Sequence, residues 1–259
     1  MKKQLFLFAS FLLFVLITVN AQQKMKHQDT EFYTPVPPVV TPGKSCGDAP
    51  SDAIILFDGT NQDKWVLTKD TTKPADWIIN DGILTVNKKV GSIQTRQAFM
   101  DYQIHLEWRE PIDIEGKDQE RGNSGLFLAS TGKGDDGYEM QILDNYNNPT
   151  YTNGQAGSIY KQNAPLVNPN RPPGEWQTYD VIWTAPRFNK DSSLKSPARV
   201  IAFFNGILVQ NIFELKGPTV YVGIPTYKHG VQGPYPIKLQ AHGDTSKPIS
   251  FRNIWVRPL

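Results

Sequence analysis

The sequence predicts an antiparallel all-β sandwich, jelly-roll-like rather than built from repeats. Three observations carry that expectation. Short runs rich in β-branched and aromatic residues recur from Ile54 to Arg257, bounded by Gly, Pro, Asn and Asp. Two dipeptides, Asp81-Gly82 and Asn205-Gly206, each sit between apolar runs and suit the positive φ angles of type I′ hairpin turns. Past the N-terminal apolar stretch, no segment holds a 3.6-residue apolar period.

The chain starts with a different signature. In Met1 to Ala21, Lys2 and Lys3 precede the apolar run Leu5–Val19, and Val19-Asn20-Ala21 forms a small-residue cleavage site. This predicts a secretory signal and export to the periplasm or medium. The apolar run is too short for a comfortable membrane span, so no stable membrane insertion is expected. Residues 22–50 are polar and Pro-rich (Pro35, Pro37, Pro38, Pro42) and read as an extended leader, with His27 a solvated residue. Residues 51–259 form the expected single domain. Cleavage takes the formal charge from +2 to 0 (2 − 2 for the two lysines), which argues against a nucleic-acid partner. Cys46 is the only cysteine, so no intrachain disulfide is available and stability rests on a core. Nothing in the chain fixes an oligomeric state.

Within the domain the stretch YQIHLEWR stands out. Strand alternation puts Tyr102, Ile104, Leu106 and Trp108 on a core side. Gln103, His105, Glu107 and Arg109 then share the other side, each about 7 Å from the next. An imidazole, a carboxylate and a guanidinium in one row can handle protons and charge near neutral pH. A solvated face with a weak Glu–Arg pair would look the same. Two later strands repeat the pattern. YEMQILD sets Glu139 and Gln141 opposite Tyr138, Met140 and Ile142, and IKLQAH sets Lys238, Gln240 and His242 opposite Ile237 and Leu239. Planar amides and charges suit sugar hydroxyls, which both donate and accept. The three polar faces are therefore expected to converge on one ligand-binding side.

Aromatic residues could supply a stacking surface. Trp108 and Trp183 lie among apolar strand residues and read as core, whereas Trp176, ending the long loop 145–175, is the better stacking candidate. That loop carries Tyr146, Tyr151 and Tyr160, too aromatic for a disordered segment, and reads as a lid. Arg121 and Arg252 could reach a ligand but are more simply surface or ion-pair residues, and His229 carries no argument. There is no phosphate-binding Gly loop, no Cys-based metal set, no G-x-S-x-G and no H-E-x-x-H. A laminarinase-type sandwich carries Glu-x-Asp-x-x-Glu on one strand. Here Gln141 replaces the middle acid and Asp144 alternates away from Glu139, which disfavours an ordinary two-carboxylate glycosidase.

The ordered blocks LFDGTNQDKW, WIINDGILTV, YQIHLEWR, GNSGLFL, YEMQILD, GSIY, GEWQTYDVIW, FFNGILV and PIKLQAHGD…ISFRNIWV resemble the 3-keto-disaccharide hydrolase family, also described as 3-keto-glucoside 1,2-lyases and 3-keto-2-hydroxyglucal hydratases. The resemblance spans about Ala53 to Leu259. It implies a concanavalin A-like jelly roll, bacterial export, and action on a small sugar or glycoside already oxidised at C3. Asn123, Ser124, Glu139, Gln141, Tyr160, Gln240 and His242 fall in its blocks. A C3 ketone acidifies the hydrogen on C2, so cleavage by elimination and hydration needs a base, an acid and a donor at the C3 oxygen.

His105, Glu139 and His242 are expected in one pocket. Glu139 and His242 are the acid and base in either order, and His105, Arg109 or Lys238 stabilises the enolate. Gln141, Gln240, Lys238, Asn123, Tyr160, Glu107 and Trp176 are the candidate substrate contacts. The sequence fixes no cofactor, and a divalent ion held by His105, Glu139 and His242 would suit the donor types. A catalytically silent lectin-like module is the main alternative, and a laminarinase-like hydrolase the less favoured one.

Overall fold

The computed structural model describes residue 41, residues 43–227 and residues 233–259. The segment expected to be a secretory signal, the expected leader through residue 40, residue 42, His27 and His229 lie outside the described residues. Sixteen strands follow in chain order: β1 (Ile54–Phe57), β2 (Trp65–Leu67), β3 (Asp70–Pro74), β4 (Ile78–Asn80), β5 (Ile83–Thr85), β6 (Ile93–Phe99), β7 (Tyr102–Arg109) and β8 (Ser124–Ser130), then β9 (Gly137–Ile142), β10 (Gln177–Thr184), β11 (Arg187–Phe188), β12 (Leu194–Ser196), β13 (Arg199–Phe204), β14 (Ile207–Glu214), β15 (Tyr235–Leu239) and β16 (Ser250–Pro258). The only helical pieces among the described residues are two single turns, Asp118–Glu120 and Thr152–Gly154, and none is long and apolar enough to cross a membrane.

Two antiparallel sheets stack as a jelly-roll sandwich. The first runs β14-β13-β10-β7-β16-β5-β4, with β1 also on β16, and the second runs β3-β2-β6-β15-β8-β9. Both expected hairpins form. Asp81 and Gly82 take φ of 49° and 75° between paired Asn80 and Ile83, and Asn205 and Gly206 take 52° and 78° between Phe204 and Ile207. The inner faces bury one core in which Trp65, Trp108 and Trp183 are fully enclosed. Trp108 packs edge-on to Tyr179 at 5.7 Å and stacks on Phe204 at 5.8 Å.

Strand β7 lies in the middle of the first sheet, between β10 and β16. Its expected core side, Tyr102, Ile104, Leu106 and Trp108, is fully buried. Its polar side therefore faces outward from the first sheet. Within the segment expected as an extended leader, Gly47 packs on that side. The Gly47 carbonyl accepts from Asn253 Nδ2 at 2.9 Å and Trp255 Nε1 at 2.8 Å.

The long loop 145–175 extends the second sheet past β9. Ile159 bridges Met140, Gln141 N donates to Ser158 O at 2.9 Å, and Tyr160 N donates to Glu139 O at 3.1 Å. Ile159 thus shares the core side with Met140, and Tyr160 takes the outward side with Glu139.

Candidate active site

The outward face of the second sheet holds a cavity of about 170 Å³ lined by Asn123, Asp135, Glu139, Gln141, Tyr160, Thr219, Tyr221, Gln240 and His242. Strand alternation builds its floor. Glu139 and Gln141 project outward from β9 because Tyr138, Met140 and Ile142 are in the core. Beyond β15 the chain stays in register, with Gln240 N donating to Gly125 O at 3.0 Å and Ser124 Oγ donating to Gln240 O at 2.7 Å. Gln240 and His242 therefore reach the same face. Gln240 Oε1 is buried with no protein partner.

Glu139 lies across β8 at Gly125. A Cβ there would sit 2.5 Å from Glu139 Oε1, so the glycine makes the room. Burial pushes the Glu139 carboxyl up to about 8, Asp135 adds to the rise, and Lys238 opposes it. Glu139 therefore carries a proton at neutral pH. With the Gln141 amide oriented as its neighbours require, its nitrogen donates to Ser124 O at 3.1 Å and to Glu139 Oε1 at 3.3 Å. Tyr160 closes one side. Burial raises its hydroxyl well above the usual tyrosine range, and that hydroxyl bonds Tyr151 Oη at 2.6 Å.

His242 is the second proton-handling group, its side chain about one-third exposed toward the cavity. Its Nδ1 lies 2.8 Å from Asp244 Oδ2. Asp244 is itself buried and paired with Lys88 Nζ at 2.9 Å, and Ser246 Oγ donates to it. Burial alone would raise this carboxyl, but bonds from His242 and Ser246 and the Lys88 charge hold it at about 2. His242 Nδ1 also faces Asp244 N at 3.3 Å, so the Asp244 residue fixes the orientation of the ring.

The structure corrects several expectations. Lys238 is fully buried under the loop 131–136 and does not line the cavity. Its Nζ donates to Gly134 O at 2.6 Å and Asp136 O at 3.0 Å and sits 3.8 Å from the Phe127 ring centre, so it positions that loop and faces no ligand. His105, Glu107, Arg109 and Trp176 lie on the outer face of the first sheet, on the far side of the core from Glu139 and His242. Alternation gave each side chain a face but could not tell which sheet its strand joins.

On that far face the charges satisfy one another. His105 Nδ1 is 2.7 Å from Asp180 Oδ1, and its ring stacks on Trp255 at 5.4 Å. Burial opposes its charge, yet the bonds to Asp180 and Glu107 raise the imidazole to about 9. Arg252 Nε donates to Glu107 Oε2 at 2.6 Å. Trp176 is flanked by the Arg109 and Arg252 guanidinium groups, at 4.5 and 4.1 Å from its ring centre. Strand alternation from Phe251 would turn Trp255 to the same side. A bulge at Asn253, with φ of 46°, shifts the register so that Trp255 faces outward beside His105.

The ion set His105, Glu139 and His242 is likewise excluded, because His105 points away from the other two across two sheets. Among the described residues, no cluster of three or more His, Cys, Asp or Glu side chains is placed to hold a metal. Asp144 stays out of the cavity, paired with Arg121 Nε at 2.6 Å.

Several functional residues escaped sequence reasoning: Asp244, Lys88, Gly125, Asp135, Thr219 and Tyr221. Only Asp244 left a local signal, two residues past His242 in a turn-forming His-Gly-Asp-Thr stretch.

Comparison with known proteins places these features in a family. The family model described as "3-keto-alpha-glucoside-1,2-lyase-like domain" matches residues 52–257. A "putative glycosyl hydrolase" from Parabacteroides distasonis, known as a crystal structure, is 51% identical over 91% of this chain and 97% of its own, with a TM-score of 0.83. A second so described from the same organism shares the fold alone, at 19% identity over 80% and 94% of the two chains and a TM-score of 0.58. No curated protein matched the chain. With the match covering nearly all of the sandwich, the chain belongs to the 3-keto-alpha-glucoside-1,2-lyase-like domain family.

Proposed function

We propose that this protein cleaves the glycosidic bond of 3-keto glycosides by C2 deprotonation, elimination and hydration. The observation that carries the reading is the pairing, in one small polar cavity, of a carboxylic acid that keeps its proton with an imidazole oriented by a buried carboxylate. The family description and the relative's printed assignment support glycoside cleavage as the reaction class.

His242 Nε2 removes the proton from C2, and the electron pair forms the C2–C3 enolate. The amide nitrogens of Gln240 and Asn123 are the cavity's donors for the C3 oxygen. As the enolate collapses, the C1–O bond breaks and the leaving oxygen takes the Glu139 proton. Water then adds at C1 of the enone and gives a proton back to the Glu139 carboxylate, while C2 regains a proton from His242 after that imidazolium has exchanged with solvent. The sum is hydrolysis, with no oxocarbenium ion and no second carboxylate.

One feature favours a second reading: Asp135 joins Glu139 in the lining, so the cavity does hold two acids. An ordinary hydrolase would use such a pair. Incubating the protein with a 3-keto glucoside and, separately, its unoxidised parent separates the two. Cleavage of the keto compound alone is expected. Turnover of the parent supports the second reading, and binding without turnover of either would make the protein a lectin-like module.

We further propose export through cleavage after Ala21. Secreted material whose N-terminus is Gln22 is the expected result, and retention of the apolar segment would contradict it.

A further inference from the structure

The catalytic cavity is too small for a whole glycoside. Its 170 Å³ falls below the roughly 300–1,000 Å³ of pockets that enclose a complete ligand. What lies beside it is a larger cleft with an exposed apolar rim. Segment 219–222 walls the cavity with Thr219 and Tyr221, and turns Val220 and Val222 to its other side. There a cleft of about 620 Å³ opens at the sandwich edge, with Phe188, Val222 and Ile224 as apolar lining, Asp136 and Thr226 as polar lining, and Thr219 common to both.

The tip above the cleft is unusually exposed for its composition. Tyr221 is 74%, Val222 83% and Ile224 81% accessible. Such residues gathered at a cavity mouth mark a binding surface, whereas scattered singly they would need no explanation. The platform is also held in place. Lys161 takes a left-handed φ of 58°, its Nζ donates to Tyr221 O at 2.7 Å, and the same Nζ lies 4.0 Å from the Tyr221 ring centre.

We propose that the aglycone of the substrate lies over the tip 221–224 and into the cleft beside it, so that preferred substrates are 3-keto glycosides of apolar, ring-bearing alcohols and not disaccharides. This rests on the reaction assigned above. The polar cavity holds the oxidised sugar ring, and the apolar surface starts where C1 chemistry hands over to the leaving group. Over the tip itself a second sugar would lay hydroxyls against Val222 and Ile224, which offer them no partner, and that costs binding.

The test compares three 3-keto glucosides of one anomer, with methanol, 2-phenylethanol or glucose as the aglycone. Methanol and 2-phenylethanol are leaving groups of similar basicity, so their difference reports binding. In a Val222→Ser/Ile224→Ser double variant, the kcat/KM ratio of the phenylethyl to the methyl substrate is expected to fall about tenfold. An unchanged ratio, or an equal fall for the glucosyl substrate, overturns the proposal. If wild-type protein turns over none of the three, the reaction assigned above fails, and calorimetry with unoxidised glycosides still reads the cleft. 2-Phenylethyl glucoside must then bind more tightly than methyl glucoside and weaken in the variant; equal binding overturns the proposal. Sedimentation gives the last check. A wild-type dimer that the variant dissolves would make a second copy of the chain the tip's occupant, and the proposal would fall.

Discussion

The two outer faces of this sandwich carry the same kinds of residue and do different things with them. On the first sheet, His105, Glu107, Asp180, Arg252 and Asn253 bond one another, Trp255 covers the imidazole, and Gly47 sits against it. On the second sheet, Glu139, Gln141, Gln240 and His242 point into a cavity, and their partners lie behind them. Asp244 and Lys88 back His242, while Gly125 clears space for Glu139. A polar row on a strand becomes a site when its supporting bonds come from behind and leave the front open. When the row bonds within itself it becomes structure.

The largest contrast should be kinetic. Glu139→Gln or His242→Ala is expected to lower kcat/KM on a 3-keto glucoside about 10³-fold, within the range of general acid–base terms. His105→Gln should change it less than about threefold. Steady-state rates on the three purified variants check this. Comparable losses in all three would erase the distinction between the faces.

Next in size are the residues behind the site. Asp244→Asn removes the carboxylate that orients His242 and is expected to cost about 10²-fold in kcat with KM little changed. Gly125→Ala pushes a Cβ onto Glu139 Oε1 and should cost a similar factor by displacing the acid. A loss confined to KM in either variant would mean a binding role instead.

Smaller effects follow from pH. Glu139 must hold its proton to serve as the acid, so kcat/KM should decline as pH rises through about 8. His105 speaks through stability. Its folded pKa of about 9 exceeds the unfolded value near 6.5, so its contribution is complete below about pH 6.5 and is lost as pH rises through 9. Thermal melts should show His105→Gln flattening the stability loss over that window while leaving the kinetic pH profile in place. An unaltered melt profile would show that the His105–Asp180 bond does not titrate with folding.

Much of this was legible in the residues. Alternation gave the buried side of Tyr102–Arg109 and the outward side of Glu139, Gln141, Gln240 and His242, because one face of every strand must enter a single core. Asp81-Gly82 and Asn205-Gly206 marked their hairpins because few other pairs accept two successive positive φ angles. The assignment of His105 to the site failed for a definite reason. The two-residue period says in or out but is silent on which sheet, and that depends on long-range pairing of β7 with β10 and β16. Trp255 was misplaced because a bulge at Asn253 breaks the period, and no local composition signals such a break. Asp244 was overlooked since it follows the strand in a turn, where alternation has nothing to say.

The most direct measurement is cleavage of a 3-keto glucoside in D2O, followed by NMR of the released sugar at early times, with the sugar product alone as the exchange control. Elimination followed by hydration rebuilds the C2–H bond from solvent, so each product molecule should carry deuterium at C2 beyond the control, and Glu139→Gln should slow its appearance. Release of a product that keeps its original C2 hydrogen would show direct displacement at C1 and contradict the elimination route.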